Sequence, residues 1–147
     1  MNYQIQVITV PVSDVDQALA FDTRSAGFHL DVDYHPTPGF RIVQLTPPGS
    51  ACSIQIGLGL TDAPPGSARA TYLAVTDIEK AHQHLTGRGV TVGAIRHKSP
   101  IEDWAGGWQP GADPRRRDYA SFADFADPGG NTWTLQEIGY HQPPSQE

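Results

Sequence analysis

Thiols are nearly absent from this chain: Cys52 is its one cysteine. That excludes an internal disulfide and a cysteine-rich zinc site. Basic residues are scarce too, 10 against 16 acidic, for a formal charge of -6. Non-specific nucleic-acid binding needs a basic face, so no nucleic-acid partner is expected. No apolar run approaches the ~20 residues of a membrane span. The N-terminal MNYQIQVITV lacks a basic region followed by a long apolar run, so neither a signal peptide nor a membrane partner is expected. The expected location is the cytoplasm. What the chain has in excess is glycine and proline, 15 and 13 of 147 residues. That is too many for a helical bundle and predicts short elements joined by turns. With 38% hydrophobic residues it has enough apolar mass for one domain with a real core.

The chain resembles itself. Val10-Pro11-Val12-Ser13-Asp14-Val15-Asp16-Gln17-Ala18 reads like Leu73-Ala74-Val75-Thr76-Asp77-Ile78-Glu79-Lys80-Ala81, 63 residues on. Each copy is an alternating strand entering a helix, with Thr76-x-x-Glu79 as a capping box and Ser13-x-x-Asp16 as a weaker one. Val15, Ala18 and Leu19, then Ile78, Ala81 and Leu85, recur at helical spacing. The helices are predicted to end at Gly27 and near Gly87–Gly89. Second strands over 28–35 and 90–97 follow, then third strands over 40–45 and 119–125. Turns at Pro47-Pro48-Gly49 and Pro128-Gly129-Gly130 lead to fourth strands over 52–56 and 133–137. The order β-α-β-β-β thus occurs twice, and the second copy holds 19 extra residues. The predicted organisation is one α+β domain over 1–140. Module one covers about 3–60, module two about 67–139, the insert about 98–118, and residues 141–147 form a flexible tail.

The segment Val10-x-Val12-Ser13-Asp14-x-x-x-Ala18-x-x-Phe21, then Gly27-Phe28, resembles the glyoxalase / bleomycin-resistance / extradiol-dioxygenase proteins, the vicinal oxygen chelate superfamily. The ending Phe125-x-Asp127-Pro128-Gly129-Gly130-Asn131-Thr132-Trp133-Thr134-Leu135 carries the resemblance most strongly. It implies two βαβββ modules forming one curved mixed sheet around a cavity, with helices on the convex side. Strand alternation assigns Ile8, Val10, Val12, Ile54, Ile56, Leu73, Val75, Trp133 and Leu135 to the helix side. Val7, Thr9, Ser53, Gln55, Ala70, Tyr72, Thr134 and Gln136 then face the cavity. Enzymes of the family hold a divalent metal with His or Glu on the first and fourth strands of each module. The resemblance places those ligands at Val7, Ser53, Ala70 and Thr134, which are poor or impossible donors. No metal and no cofactor are expected.

Other residues suit a ligand site. Gln55 and Gln136 are repeat equivalents facing inward, where a buried amide contacts a ligand or bridges the protein. Tyr72 offers a ring and a hydroxyl to a ligand on that face or packs inside the cavity, and Thr9 is assigned to the same face. Arg41 is a candidate for an anionic ligand, with edge exposure as the alternative. Trp104 and Trp108, in the Gly/Pro-rich insert, suit a lid over a planar or apolar ligand, or a loop closing on the protein's own surface or on a dimer partner. Arg115–Arg117 read as solvated, with an anion-binding role as the alternative. His35 and His97 end the two second strands at equivalent positions; they form an acid–base pair, a relocated metal site, or two exposed loop histidines.

The leading expectation is a metal-independent member of this superfamily that binds a small organic molecule, drug-like or natural-product-like, in its cavity. The resemblance points to the bleomycin-resistance type, which sequesters a drug as a homodimer. The alternative is a lyase, isomerase or hydrolase of the glyoxalase superfamily using His35, His97 or Tyr72, or an unconventional metal site. A third reading is a protein-interaction module with a vestigial cavity.

Overall fold

The computed structural model describes residues 1–102 and 106–142. The first module supplies β1 (Val7–Thr9), α1 (Val15–Ala20) running into a π-helical turn at Phe21–Ser25, β2 (His29–Thr37), β3 (Phe40–Thr46) and β4 (Ser53–Leu58). The second supplies β5 (Thr71–Val75), α2 (Ile78–Gly87), β6 (Arg96–Ser99), β7 (Gly107–Pro110), β8 (Ser121–Ala126) and β9 (Thr132–Glu137). The predicted βαβββ order holds in both, with β7 added to the second.

The strands form two sheets, ordered β1-β4-β3-β2 and β5-β9-β8-β6-β7. The expectation of one curved mixed sheet around a cavity, with helices on its convex side, is therefore corrected. In the first module α1 carries the chain to the far edge, and two antiparallel hairpins bring it back. β4 then lies parallel to β1, with Val7 opposite Ser53 and Thr9 opposite Gln55. In the second module β9 returns parallel to β5, pairing Tyr72 with Thr134 and Val75 with Glu137. Each module thus satisfies its first strand with its own last one, and each sheet is complete without strands from the other.

The described chain divides into two compact units, Met1–Arg69 with Ala126–Thr132, and Ala70–Phe125 with Trp133–Glu147. In the first, Asp14 caps α1 by accepting from the Gln17 amide at 2.9 Å. Val10, Val15, Ala18, Phe28, Val43, Leu45, Ile54 and Ile56 are buried. Each large aliphatic or aromatic side chain among them contributes roughly 1.5–3 kcal/mol by leaving water. Ile8, assigned by alternation to this core, is instead exposed: β1 is an edge strand of three residues.

The turn Asp127–Asn131 lies in this first unit and forms a buried polar hub. The Asp127 carboxylate accepts from the Gly129 and Asn131 amides and from Asn131 Nδ2, each at 2.9 Å. Asn131 Nδ2 also donates to the Pro11 carbonyl at 2.7 Å, and its Oδ1 accepts from the Ala68 amide at 3.0 Å. Gly66 sits at φ +79, where an added Cβ would lie 2.4 Å from the Gly129 carbonyl oxygen. Glycine is the residue that tolerates both conditions. The motif that most strongly carries the resemblance is here a structural knot.

In the second unit the cap of α2 is Asp77, which accepts from the Lys80 amide at 3.1 Å. Thr76 thus precedes the cap, and the predicted capping box does not form; Glu79 turns instead to Arg116, at 2.6 Å. The core holds Ile78, Leu85, Val90, Phe125, Trp133 and Leu135, with Phe125 and Trp133 stacked at 6.3 Å and 10°. The insert, expected to be loop, contains β7, which pairs with β6 in the register Lys98–Trp108. Four residues bounded by Gly and Pro give no readable period in sequence. The second strand of this module, expected over 90–97, is reduced to Arg96–Ser99 and a single bridge from Val92 to Phe125.

Candidate functional site

Strand register puts one set of side chains on one face of the second sheet. Tyr72 pairs with Thr134, Arg96 with Phe122, and Lys98 with Trp108. Thr134 Oγ1 donates to Asp124 at 2.8 Å, which places Asp124 on that face as well. The aromatic rings interlock there. Phe122 meets Trp108 edge-to-face at 5.1 Å and 88°, and Tyr72 at 6.3 Å and 77°. Phe122 is buried, but Tyr72 is 56% and Trp108 43% exposed. The two outer rings therefore keep open surface around a fixed central one, an arrangement suited to a planar guest.

Two cations lie against this aromatic cluster. The Arg96 guanidinium carbon is 4.6 Å from the Trp108 ring centre and 5.7 Å from that of Phe122. Lys98 Nζ is 4.2 Å from the Trp108 ring centre. All three distances fall within the range where a ring's quadrupole attracts a cation. Arg96 Nη1 also pairs with Asp124 at 2.9 Å. The face thus carries a Thr134–Asp124–Arg96 chain running up to an aromatic wall.

Among the residues singled out in sequence, Tyr72 and Trp108 belong to this face. Gln136 shares its strand parity, with Nε2 3.3 Å from the Tyr119 carbonyl. His97 has the opposite parity. Its Nδ1 lies 2.8 Å from the Gly111 carbonyl oxygen, and it lines a cavity of about 320 Å³ with Arg115 and Arg117. Thr9, Arg41, Gln55 and His35 belong to the first unit. Gln55 Nε2 donates to Thr9 Oγ1 at 2.7 Å, a structural bridge. Arg41 bonds Asp16 at 2.8 Å and Asp33 at 3.0 and 2.8 Å, which hold its pKa above the ordinary value and hold Asp33 below the usual carboxylate range. Its guanidinium is committed to carboxylates of the chain. His35 is exposed on β2. Trp104 lies outside the described residues.

The arginine run is not simply solvated. Arg116 reaches Glu137, Glu79 and Asp77, and its guanidinium lies 3.8 Å from the Tyr140 ring centre. Arg117 Nε bonds Asp113 at 2.8 Å and Nη2 at 2.9 Å, which pulls the buried Asp113 carboxyl down to about 2. Reading from sequence missed Arg96, Lys98, Phe122 and Asp124. The alternation of Phe122 and Asp124 with the small Ser121 and Ala123 was the available signal for two of them.

The family model for the glyoxalase/bleomycin resistance protein/dioxygenase superfamily matches residues 4–135. The chain belongs to this superfamily. Three solved structures resemble it along nearly their whole length. TnmS3, an antibiotic binding protein from Streptomyces sp. CB03234, is 29% identical over 92% of this chain and 96% of its own, with a TM-score of 0.69. A glyoxalase/bleomycin resistance protein from the same organism is 28% identical over 91% and 100%, at 0.67. A superfamily member from Sphaerobacter thermophilus DSM 20745 is 27% identical over 93% and 98%, at 0.68. No curated protein matches the chain.

The metal that superfamily enzymes use finds no suitable donor set at the corresponding positions. Val7 and Ala70 have no donor atom. Ser53 Oγ lies 2.6 Å from Thr46 Oγ1, and Thr134 Oγ1 is spent on Asp124. Among the described residues no three His, Cys, Asp or Glu side chains are grouped to hold a metal ion. No described helix is long and apolar enough to cross a membrane.

Proposed function

We propose that this superfamily member binds and sequesters a small organic molecule of antibiotic type on the Tyr72–Phe122–Trp108 face of its second sheet. The observation that carries the reading is the aromatic face itself, with two half-exposed rings braced by a buried third. The likeness to an antibiotic binding protein supports it. Binding there rests on ring stacking and on polar contacts from Arg96, Thr134 and Gln136. The chain is read as a homodimer, which would cover the exposed Leu30, Val32 and Tyr34 of edge strand β2.

The test is calorimetric titration of the purified protein with bleomycin and a panel of polycyclic aromatic natural products. Micromolar or tighter binding of at least one compound is expected, with at least tenfold loss in Trp108→Ala. Failure of every compound to bind, or equal binding by the variant, overturns the reading. Sedimentation of the same sample decides the dimer.

One observation favours a catalytic alternative. His97 Nδ1 donates to the Gly111 carbonyl, so Nε2 is the ring nitrogen left for acid–base work on a side chain that lines a cavity. Product formation from a bound compound that is lost in His97→Ala would support it.

A further inference from the structure

The aromatic face says that a guest is planar; the charges on it say more. Arg96 presents a planar guanidinium with five N–H donors. One nitrogen is engaged by Asp124, and no other ion pair involves Arg96 among the described residues. Trp108 and Phe122 flank the group and hold it in place without using its donors. Lys98 Nζ lies 4.2 Å from the centre of the same indole, and the Lys98 side chain is largely withdrawn from water. Among the described residues the carboxylate that meets Arg96 is Asp124, whose two oxygens bond Arg96 and Thr134. A cation held beside low-polarity rings attracts an anion more strongly than one in open water.

Resting on the binding reading above, we propose that the preferred guest is a planar aromatic acid. Its ring lies against Tyr72 and Trp108, and its carboxylate or phenolate oxygen accepts from the Arg96 guanidinium. Asp124 and Thr134 are positioning residues in this arrangement. The carboxylate fixes one edge of the guanidinium, and the threonine hydroxyl fixes the carboxylate. Asp124 also competes with the guest for the same cation, which sets a ceiling on affinity and favours guests of concentrated charge over diffuse ones.

The experiment uses two probes of matched shape, 2-naphthoate and its neutral amide 2-naphthamide, titrated calorimetrically into the full chain at pH 7.5. Wild type is expected to bind the acid about tenfold to a hundredfold more tightly than the amide, the range of one charge-assisted hydrogen bond. Arg96→Gln is expected to abolish the preference, so that acid and amide bind with equal affinity in the variant. Asp124→Asn, which removes the competing charge, is expected to tighten acid binding several-fold, and added salt to weaken only the acid. Equal affinity for the two probes in wild type overturns the acid preference while leaving the aromatic face standing. So does an Arg96→Gln variant, folded by circular dichroism, that still prefers the acid. Binding of neither probe by folded wild type overturns the acid preference, and a bleomycin-panel compound that still binds then keeps the broader reading alive.

Discussion

Arg116 grips both carboxylate oxygens of Glu137, Nε to Oε1 at 2.9 Å and Nη2 to Oε2 at 2.6 Å. Glu137 is fully buried, and its Oε2 also accepts from the amide of Ile78 at 2.9 Å. That amide opens α2, so the last strand, the insert and the helix N-terminus meet on one charge. A helix start favours a negative group, and the guanidinium supplies the balancing positive one. Arg116→Ala would strand a buried carboxylate. The expected cost is about 3–5 kcal/mol, measured by urea unfolding. Glu137→Gln combined with Arg116→Met removes both charges and is expected to recover much of that loss. A single variant as stable as wild type would show that the pair contributes nothing.

Much of this was legible in sequence. The repeat announced both modules because its strand–helix entries, Val10–Ala18 and Leu73–Ala81, carry periodic apolar residues at matching spacing. Glu137 shares its strand parity with Trp133 and Leu135, which alternation assigned to the helix side, and it is found buried at the start of α2. Sheet closure was not legible, because parallel pairing of β1 with β4 and β5 with β9 joins residues about fifty or more apart whose side chains carry no pairing code. The partners of the arginine run were hidden for the same reason. Arg116 meets Glu79 and Glu137 only once the chain has folded, so a run of three cations reads as solvent-facing.

Asp22 is buried on the π-helical turn, and burial, with the charge of Asp127 second, pushes its carboxyl up to about 7. An unfolded aspartate releases its proton near 3.8. Between those values the folded state binds more protons, so stability falls as pH rises. The stabilisation is fully present below about pH 4 and is lost as pH passes through about 7. Asp22→Asn is expected to flatten this slope and to exceed wild type at pH 8 by a few kcal/mol, at about 1.4 kcal/mol per pH unit. Denaturant midpoints from pH 4 to 8 check it; parallel profiles for the two proteins would refute it.

Asp113 has the opposite sign. The guanidinium of Arg117 holds its carboxyl at about 2, so the stability it contributes is present above about pH 4 and is lost as pH falls towards 2. Arg117→Ala is expected to move acid unfolding to higher pH, read by circular dichroism. An unchanged acid midpoint would show that the pair contributes nothing to acid stability.

Asn131 separates stability from binding. Its amide satisfies Pro11, Ala68 and Asp127 at once inside the first unit, while the proposed guest lies on the sheet of the second. Asn131→Ala removes these bonds and leaves the buried carbonyl of Pro11 and amide of Ala68 without this partner. The expected loss is about 2–4 kcal/mol, or roughly 10 °C in Tm for a chain of this size. Gly66→Ala is expected to act in the same direction, because a methyl group would press on the Gly129 carbonyl oxygen at an unfavourable φ. Well below its melting point, Asn131→Ala is expected to bind the guest as wild type does. A Tm near wild type would deny the turn its structural role, and a large loss of affinity in the folded variant would make the turn part of the site.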